Sequence, residues 1–284
     1  MKLSPSTGLT IAAACGLSVA AFAASRLTRP AVAAAVPPTP RAAIALNAEA
    51  AAAFGSIKGR LVWGGSDIPE TKILVKKGQP DIKDDVCKTE DLTSKALIVD
   101  PKSKGIGYAF AYLFQPKGSN PEAEKALLAK NPQVVIDQVK CEFVPFATAL
   151  HTSQKVLLKS SDPVGHNVHT YPFGQAAINT LIPPMRELET KFMPEKRPIP
   201  VKCDIHPWME SYLMVFDHPF FAVTAADGSF EITGVPVGEQ KLVVWQSKVG
   251  YATTGGTRGM SVMVEADKAT DVGEIKLDPA KVRN

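Results

Sequence analysis

The densest chemistry in the chain is Cys203-Asp204-Ile205-His206-Pro207-Trp208-Met209, which sets a thiol, an imidazole and a thioether within seven residues. A second imidazole stands upstream in Gly165-His166-Asn167-Val168-His169. Two imidazoles, a thiolate and a weak axial thioether form the donor set of blue-copper electron-transfer sites. Sulfur donors favour Cu(I), imidazole accepts Cu(II), and a geometry between the two preferences suits both states. The candidate donors are therefore Cys203, His206 and Met209 in the loop and one of the upstream imidazoles, His166 or His169, for one copper ion of type 1. Zinc is the rival metal, but structural zinc sites usually draw on two or more cysteines, and methionine is a poor zinc ligand.

Such a site needs elements that aim its donors. A loop with Cys203, His206 and Met209 at three-residue intervals can turn all three side chains inward, and Pro207 stiffens it. The remaining ligand must come from a neighbouring strand, which His166 opens after the turn Asp162-Pro163-Val164-Gly165. His166 and His169 are three apart, so in an extended strand they face opposite ways and only one can be a ligand. His169 reads as a packed or hydrogen-bonded strand residue. His151 and His218 lack partners in sequence and receive no role. Trp208 can pack internally or lie exposed beside the His206 edge; in the second case Pro207 and Trp208 form an apolar docking patch for a redox partner.

His-Asn-Val-His, followed 37 residues later by Cys-x-x-His-Pro-aromatic-Met, resembles the copper centre of the cupredoxins, in particular those with the short amicyanin-like ligand loop. The likeness covers residues 134–217, under a third of the chain. It implies that His166, Cys203, His206 and Met209 bind copper, and that Asn167 holds the ligand loop by hydrogen bonding. The arrangement is also similar to cupredoxin-like proteins labelled as methylamine-utilisation proteins. The flanking sequence is absent from small cupredoxins, so that label's pathway is not carried over.

The 284 residues suggest one or two domains at about 150 residues each. With 23 prolines and 20 glycines, the chain argues for short strands and turns rather than long helices. Short apolar runs bounded by turn residues recur throughout, which predicts an all-β protein of two β-sandwiches. Residues 121–131 give the one convincing helix of the first half, and residues 183–192 leave room for one or two helical turns. Residues 1–35 hold Lys2, Arg26 and Arg29, no acid, and an apolar run over Gly8–Ala24. They read as an export signal, with an uncleaved membrane anchor as the competing reading. Losing them leaves +1 of the +4 net charge, so nothing argues for nucleic acid. Residues 36–53 read as an Ala- and Pro-rich linker.

Ala225-Ala226-Asp227-Gly228-Ser229-Phe230-Glu231-Ile232, then Gly234-Val235-Pro236-Val237-Gly238 and residues 241–245, resemble the latter half of a carboxypeptidase regulatory-like (transthyretin-like) β-sandwich. Gly55-Ser56-Ile57-Lys58-Gly59-Arg60-Leu61-Val62 fits the opening of such a domain loosely. The expected organisation is a discontinuous sandwich from residues 54–132 and 219–278, interrupted by a cupredoxin-like domain at 133–218. A half-sandwich would otherwise leave a bare apolar face. Export makes a Cys87–Cys141 disulfide the simplest account of those two cysteines; the other is a pair of buried thiols.

The function expected is single-electron transfer by a periplasmic or otherwise exported copper protein that works with a redox protein partner and is not an enzyme. Two other readings remain. One is a copper-storage or scaffold protein of the cell envelope. The other is an accessory subunit that feeds electrons to an oxidase.

Overall fold

The computed structural model describes residues 53–283, which belong to one unit of the chain. The expected export signal at residues 1–35 and nearly all of the expected linker at 36–53 fall outside these residues. Among those described, no helix is long and apolar enough to cross a membrane.

The described chain is built mainly of β-strands, and four sheets fall into two pairs. In the first pair, Phe54–Trp63 lies between Ser229–Pro236, antiparallel, and Ala269–Leu277, parallel. Its companion sheet runs Phe221–Val223, Phe110–Leu113, Gly238–Gln246, Gly250–Tyr251, with Met260–Val264 also paired to Gly238–Gln246. Ile57, Leu61, Ile106, Leu113, Phe230, Val235, Leu242 and Val244 fill the core between them.

The second pair lies wholly within residues 133–216. One sheet runs Asn179–Ile182, His166–Thr170, Ile199–Lys202, Glu210–Phe216, Ala147–His151. The other runs Glu187–Thr190, Lys155–Ser160, Gln133–Val139, Glu142–Val144. Buried residues alternate along Lys155–Ser160 and over Ile199–Lys202, as the period of two requires, and Ile136, Leu150, Leu158, Val168, Val201, Leu213 and Val215 share a separate core. The chain thus makes the first pair before residue 114 and after residue 220, and the second in between.

Phe110–Leu113 is buried on both faces. Ala111 and Leu113 point into the first core, while Phe110 and Tyr112 join Phe146, Met214 and Phe216 in an aromatic layer that joins the two pairs. A strand with water on neither face reads as a continuous apolar run, which is the pattern of Phe110-Ala111-Tyr112-Leu113.

Three features differ from or refine the sequence expectations. Residues 73–93 fall in the stretch expected in the first sandwich, yet Val75, Cys87 and Leu92 are buried in the second core. Residues 183–192 form no helix. They hold the edge strand Glu187–Thr190, whose exposed Glu189 pairs with Lys155 across the ladder, so no apolar period marks it. The helix Pro121–Lys130 is present. Its start is set by Asn120, whose Oδ1 accepts the Ala123 N–H (3.0 Å) while its Nδ2 donates to the Gly234 carbonyl (2.9 Å).

Candidate metal centre

His166 opens the strand His166–Thr170, and the segment Cys203–Met209 links Ile199–Lys202 to Glu210–Phe216, the next two strands of the same sheet. The loop closes on itself: the Cys203 N–H donates to the Met209 carbonyl (3.3 Å) and the Met209 N–H to the His206 carbonyl (2.9 Å). This folds the loop so that Cys203, His206 and Met209 are all buried, while Asp204, Ile205 and Pro207 face outward.

The donors converge. His166 Nδ1 and His206 Nδ1 are 2.8 Å apart, and Cys203 Sγ lies 3.8 Å from His206 Nδ1. His166, Cys203 and His206 each offer one donor atom within 4.8 Å of the others, all from buried residues. Met209 is fully buried in the apolar core of the same sandwich.

The other ring nitrogens explain why these donors fit a cation. His166 Nε2 sits 2.8 Å from Asp162 Oδ2, and His206 Nε2 sits 2.8 Å from Asp84 Oδ2. A neutral imidazole carries one N–H. With each neutral ring's N–H directed at its carboxylate, both Nδ1 lone pairs would point inward at one another and at the sulfur. That electron-rich cluster needs a positive charge at its centre, and a proton or a metal ion can supply it.

The titration tendencies follow. Burial works against the Cys203 thiolate, but hydrogen bonding to His166 and His206 and from the backbone N–H groups of Asn167 and His206 outweighs it and brings the thiol down to about 6. Burial likewise opposes charge on His166, but Asp162 and Cys203 prevail and lift it to about 9. His206 is raised against its burial by Cys203 and Asp84.

Asp162 is itself fixed by an unusual turn. Lys140 and Cys141, between Gln133–Val139 and Glu142–Val144, both take positive φ (51° and 60°), the geometry of a type I′ hairpin. Their N–H groups donate to the two oxygens of Asp162, at 2.6 and 2.8 Å. Asp84 arrives from a different direction, immediately before the short helical turn Asp85–Lys88. Cys87 in that turn is disulfide-bonded to Cys141, and among the described residues Cys203 is free and buried. Cys87 and Cys141 also lie beside the histidines, but as a disulfide they offer no thiolate.

Asn167 links the His166 strand to the ligand loop: its Oδ1 accepts the Asp204 N–H (2.6 Å) and its Nδ2 donates to Asp204 Oδ2 (2.9 Å). His169 faces away from the cluster, bonded to Asp204 (3.0 Å) and stacked on Tyr171. Trp208 is half-buried, its indole N–H donates to the Cys141 carbonyl (3.2 Å), and its ring lies 5.1 Å from that of His206. Pro207 beside it is exposed. Sequence reasoning gave no role to Asp84 or Asp162. Asp162 precedes His166 by four residues and could be suspected, whereas Asp84 is 122 residues from His206 and nothing in the pattern marks it.

No family model matches the chain, and no curated protein matches it at a significant level. Among solved structures it is similar to a Cu(I) form of an amicyanin variant, with 22% identity over 30% of this chain and 82% of that one, TM-score 0.27. It is also similar to a Cu-containing nitrite reductase from Thermus scotoductus, with 18% identity over 30% of this chain and 22% of that one, TM-score 0.28. A further amicyanin variant, in its oxidised state, gives 19% identity, 30% and 83% coverage, TM-score 0.27.

Proposed function

We propose that the chain is an exported type 1 copper protein that carries single electrons between redox partners. What supports this reading is the convergence of two imidazole lone pairs and a low-pKa thiolate in one buried cluster, beside the loop that carries Met209. His166, Cys203 and His206, with Met209 as the weakest donor, would hold the metal, and the copper would supply a one-electron couple. The residues do the rest. The two carboxylates fix each ring and its tautomer, Asn167 ties the loop to the neighbouring strand, and the apolar core excludes water. The 133–216 sheets would then be a cupredoxin-like sandwich set within a regulatory-like one.

Export is consistent with the Cys87–Cys141 disulfide, since such bonds persist in oxidising compartments. Storage or delivery of copper without redox turnover is the second reading. It is favoured by the burial of His206, which is 3% exposed and leaves little imidazole edge open to a partner.

Loading the purified chain with Cu(II) separates them. An intense thiolate-to-copper visible band with a reversible potential is the expected result, and Cys203→Ser should abolish the band. A colourless protein that holds only Cu(I) would replace electron transfer with storage.

A further inference from the structure

Asp84 stands outside the sandwich that bears the candidate ligands, yet its carboxylate reaches into the cluster. It occupies the N-cap position of the turn Asp85–Lys88, where an aspartate usually accepts a backbone N–H, but its side chain makes no such bond. Instead Oδ2 meets His206 Nε2 at 2.8 Å.

Several contacts fix the segment that presents it. Cys87 is bonded to Cys141, Lys140 pairs with Glu90, the Gly78 N–H donates to the Lys88 carbonyl, and Ile82 and Val86 pack on the second core. Asp84 therefore meets His206 as a held group rather than as a free surface carboxylate.

We propose that Asp84 is a positioning residue for His206: its carboxylate, presented by the disulfide-tied turn, fixes the imidazole with Nε2–H outward and Nδ1 aimed at Cys203, and covers the ring edge that would otherwise meet solvent. The proposal rests on the copper reading above. A carboxylate behind a ligating histidine sets the tautomer and raises the basicity of the ligand nitrogen. His166 has the same arrangement through Asp162, so both imidazoles would be strengthened as donors. Stronger nitrogen donation favours the oxidised, harder ion over Cu(I), so this chain's couple is set lower than the four ligands alone would set it.

The test uses the full chain loaded with copper, comparing Asp84→Ala, Asp84→Glu and a control, Asp85→Ala. Asp85 carries the same charge one residue away, is almost fully exposed and faces Lys88 rather than the cluster. Asp84→Ala should lose about tenfold to a hundredfold in Cu(II) affinity, the usual effect of removing such a partner. Cu(I) affinity should change less, and each tenfold difference reads as an upward shift of about 59 mV in the reduction potential. Asp84→Glu should recover part of the shift. The proposal is overturned if Asp84→Ala keeps the wild-type Cu(II) affinity and potential, or if Asp85→Ala shifts them equally. Failure of the copper reading looks different: the wild-type chain itself would then show no thiolate-bound Cu(II).

Discussion

The imidazoles of His166 and His206 face each other Nδ1 to Nδ1 across 2.8 Å, each backed by its own aspartate. Two neutral rings so arranged repel, and at neutral pH a proton on His166, which Asp162 and Cys203 lift to about 9, bridges them. Copper would take the place of that proton. Copper binding should therefore raise stability by mass action, about 2.7 kcal/mol at a free concentration one hundred times Kd. Urea melts with and without Cu(II) check this. His166→Ala should weaken the metal-dependent increment, and Met209→Leu should keep the visible band while shifting the potential.

Asp162 accepts three N–H groups: those of Lys140 and Cys141, and the Nε2–H of His166. An asparagine offers one oxygen where the carboxylate offers two, so Asp162→Asn leaves at least one of these buried donors without an acceptor. At about 1–3 kcal/mol for such a loss, the variant should be destabilised by about 2 kcal/mol in the metal-free state. Urea denaturation of metal-free protein measures it, and a melt unchanged from wild type would show that the turn does not depend on this carboxylate.

The ligand motif could be read from sequence because its chemistry is local. Cys203, His206 and Met209 share one loop, and His166 begins a strand after a recognisable turn. Asp84 could not be read this way, because its role comes from a fold that brings together segments 122 residues apart. The strands were legible through alternation, except where a strand such as Glu187–Thr190 is exposed and carries no apolar period. Residues 73–93, expected in the first sandwich, pack on the second core, which their sequence hides for a related reason. Their short apolar runs show that they are buried somewhere but not against which sheet, and the disulfide to Cys141 marks the side they pack on.

The Cys87–Cys141 bond closes 54 residues, and in the chain-entropy model a loop of that length contributes about 4 kcal/mol. The double variant Cys87→Ala/Cys141→Ala should lose about 2–4 kcal/mol in denaturant melts. It should also free the turn that carries Asp84, so its copper potential should move in the same direction as that of Asp84→Ala. Thiol titration of the unfolded, metal-free and unreduced chain from residue 36 onward should find a single reactive cysteine, Cys203.

His218 gives the chain an acid sensitivity separate from the metal cluster. It lies in the link between Glu210–Phe216 and Phe221–Val223, beside the rings of Phe216 and Phe220. The Phe220 N–H donates to its Nδ1 at 3.2 Å, so the neutral ring is the form that fits. Burial lowers its pKa to about 4; Asp217 and the Leu113 backbone pull the other way, and His151 adds slightly to the lowering. The unfolded chain titrates near about 6.5. Above that value both states are neutral and the contribution is complete. Between about 6.5 and 4 the unfolded chain binds a proton that the folded chain does not, so stability falls as the pH falls, by about 3 kcal/mol in all. Below about 4 both states are charged and the loss levels off. His218→Gln removes this titration. Measured in the metal-free protein, the stability difference between wild type and His218→Gln should shrink or reverse from pH 7.5 to pH 5. A difference that stays constant over that range would mean that His218 titrates alike in the folded and unfolded chain.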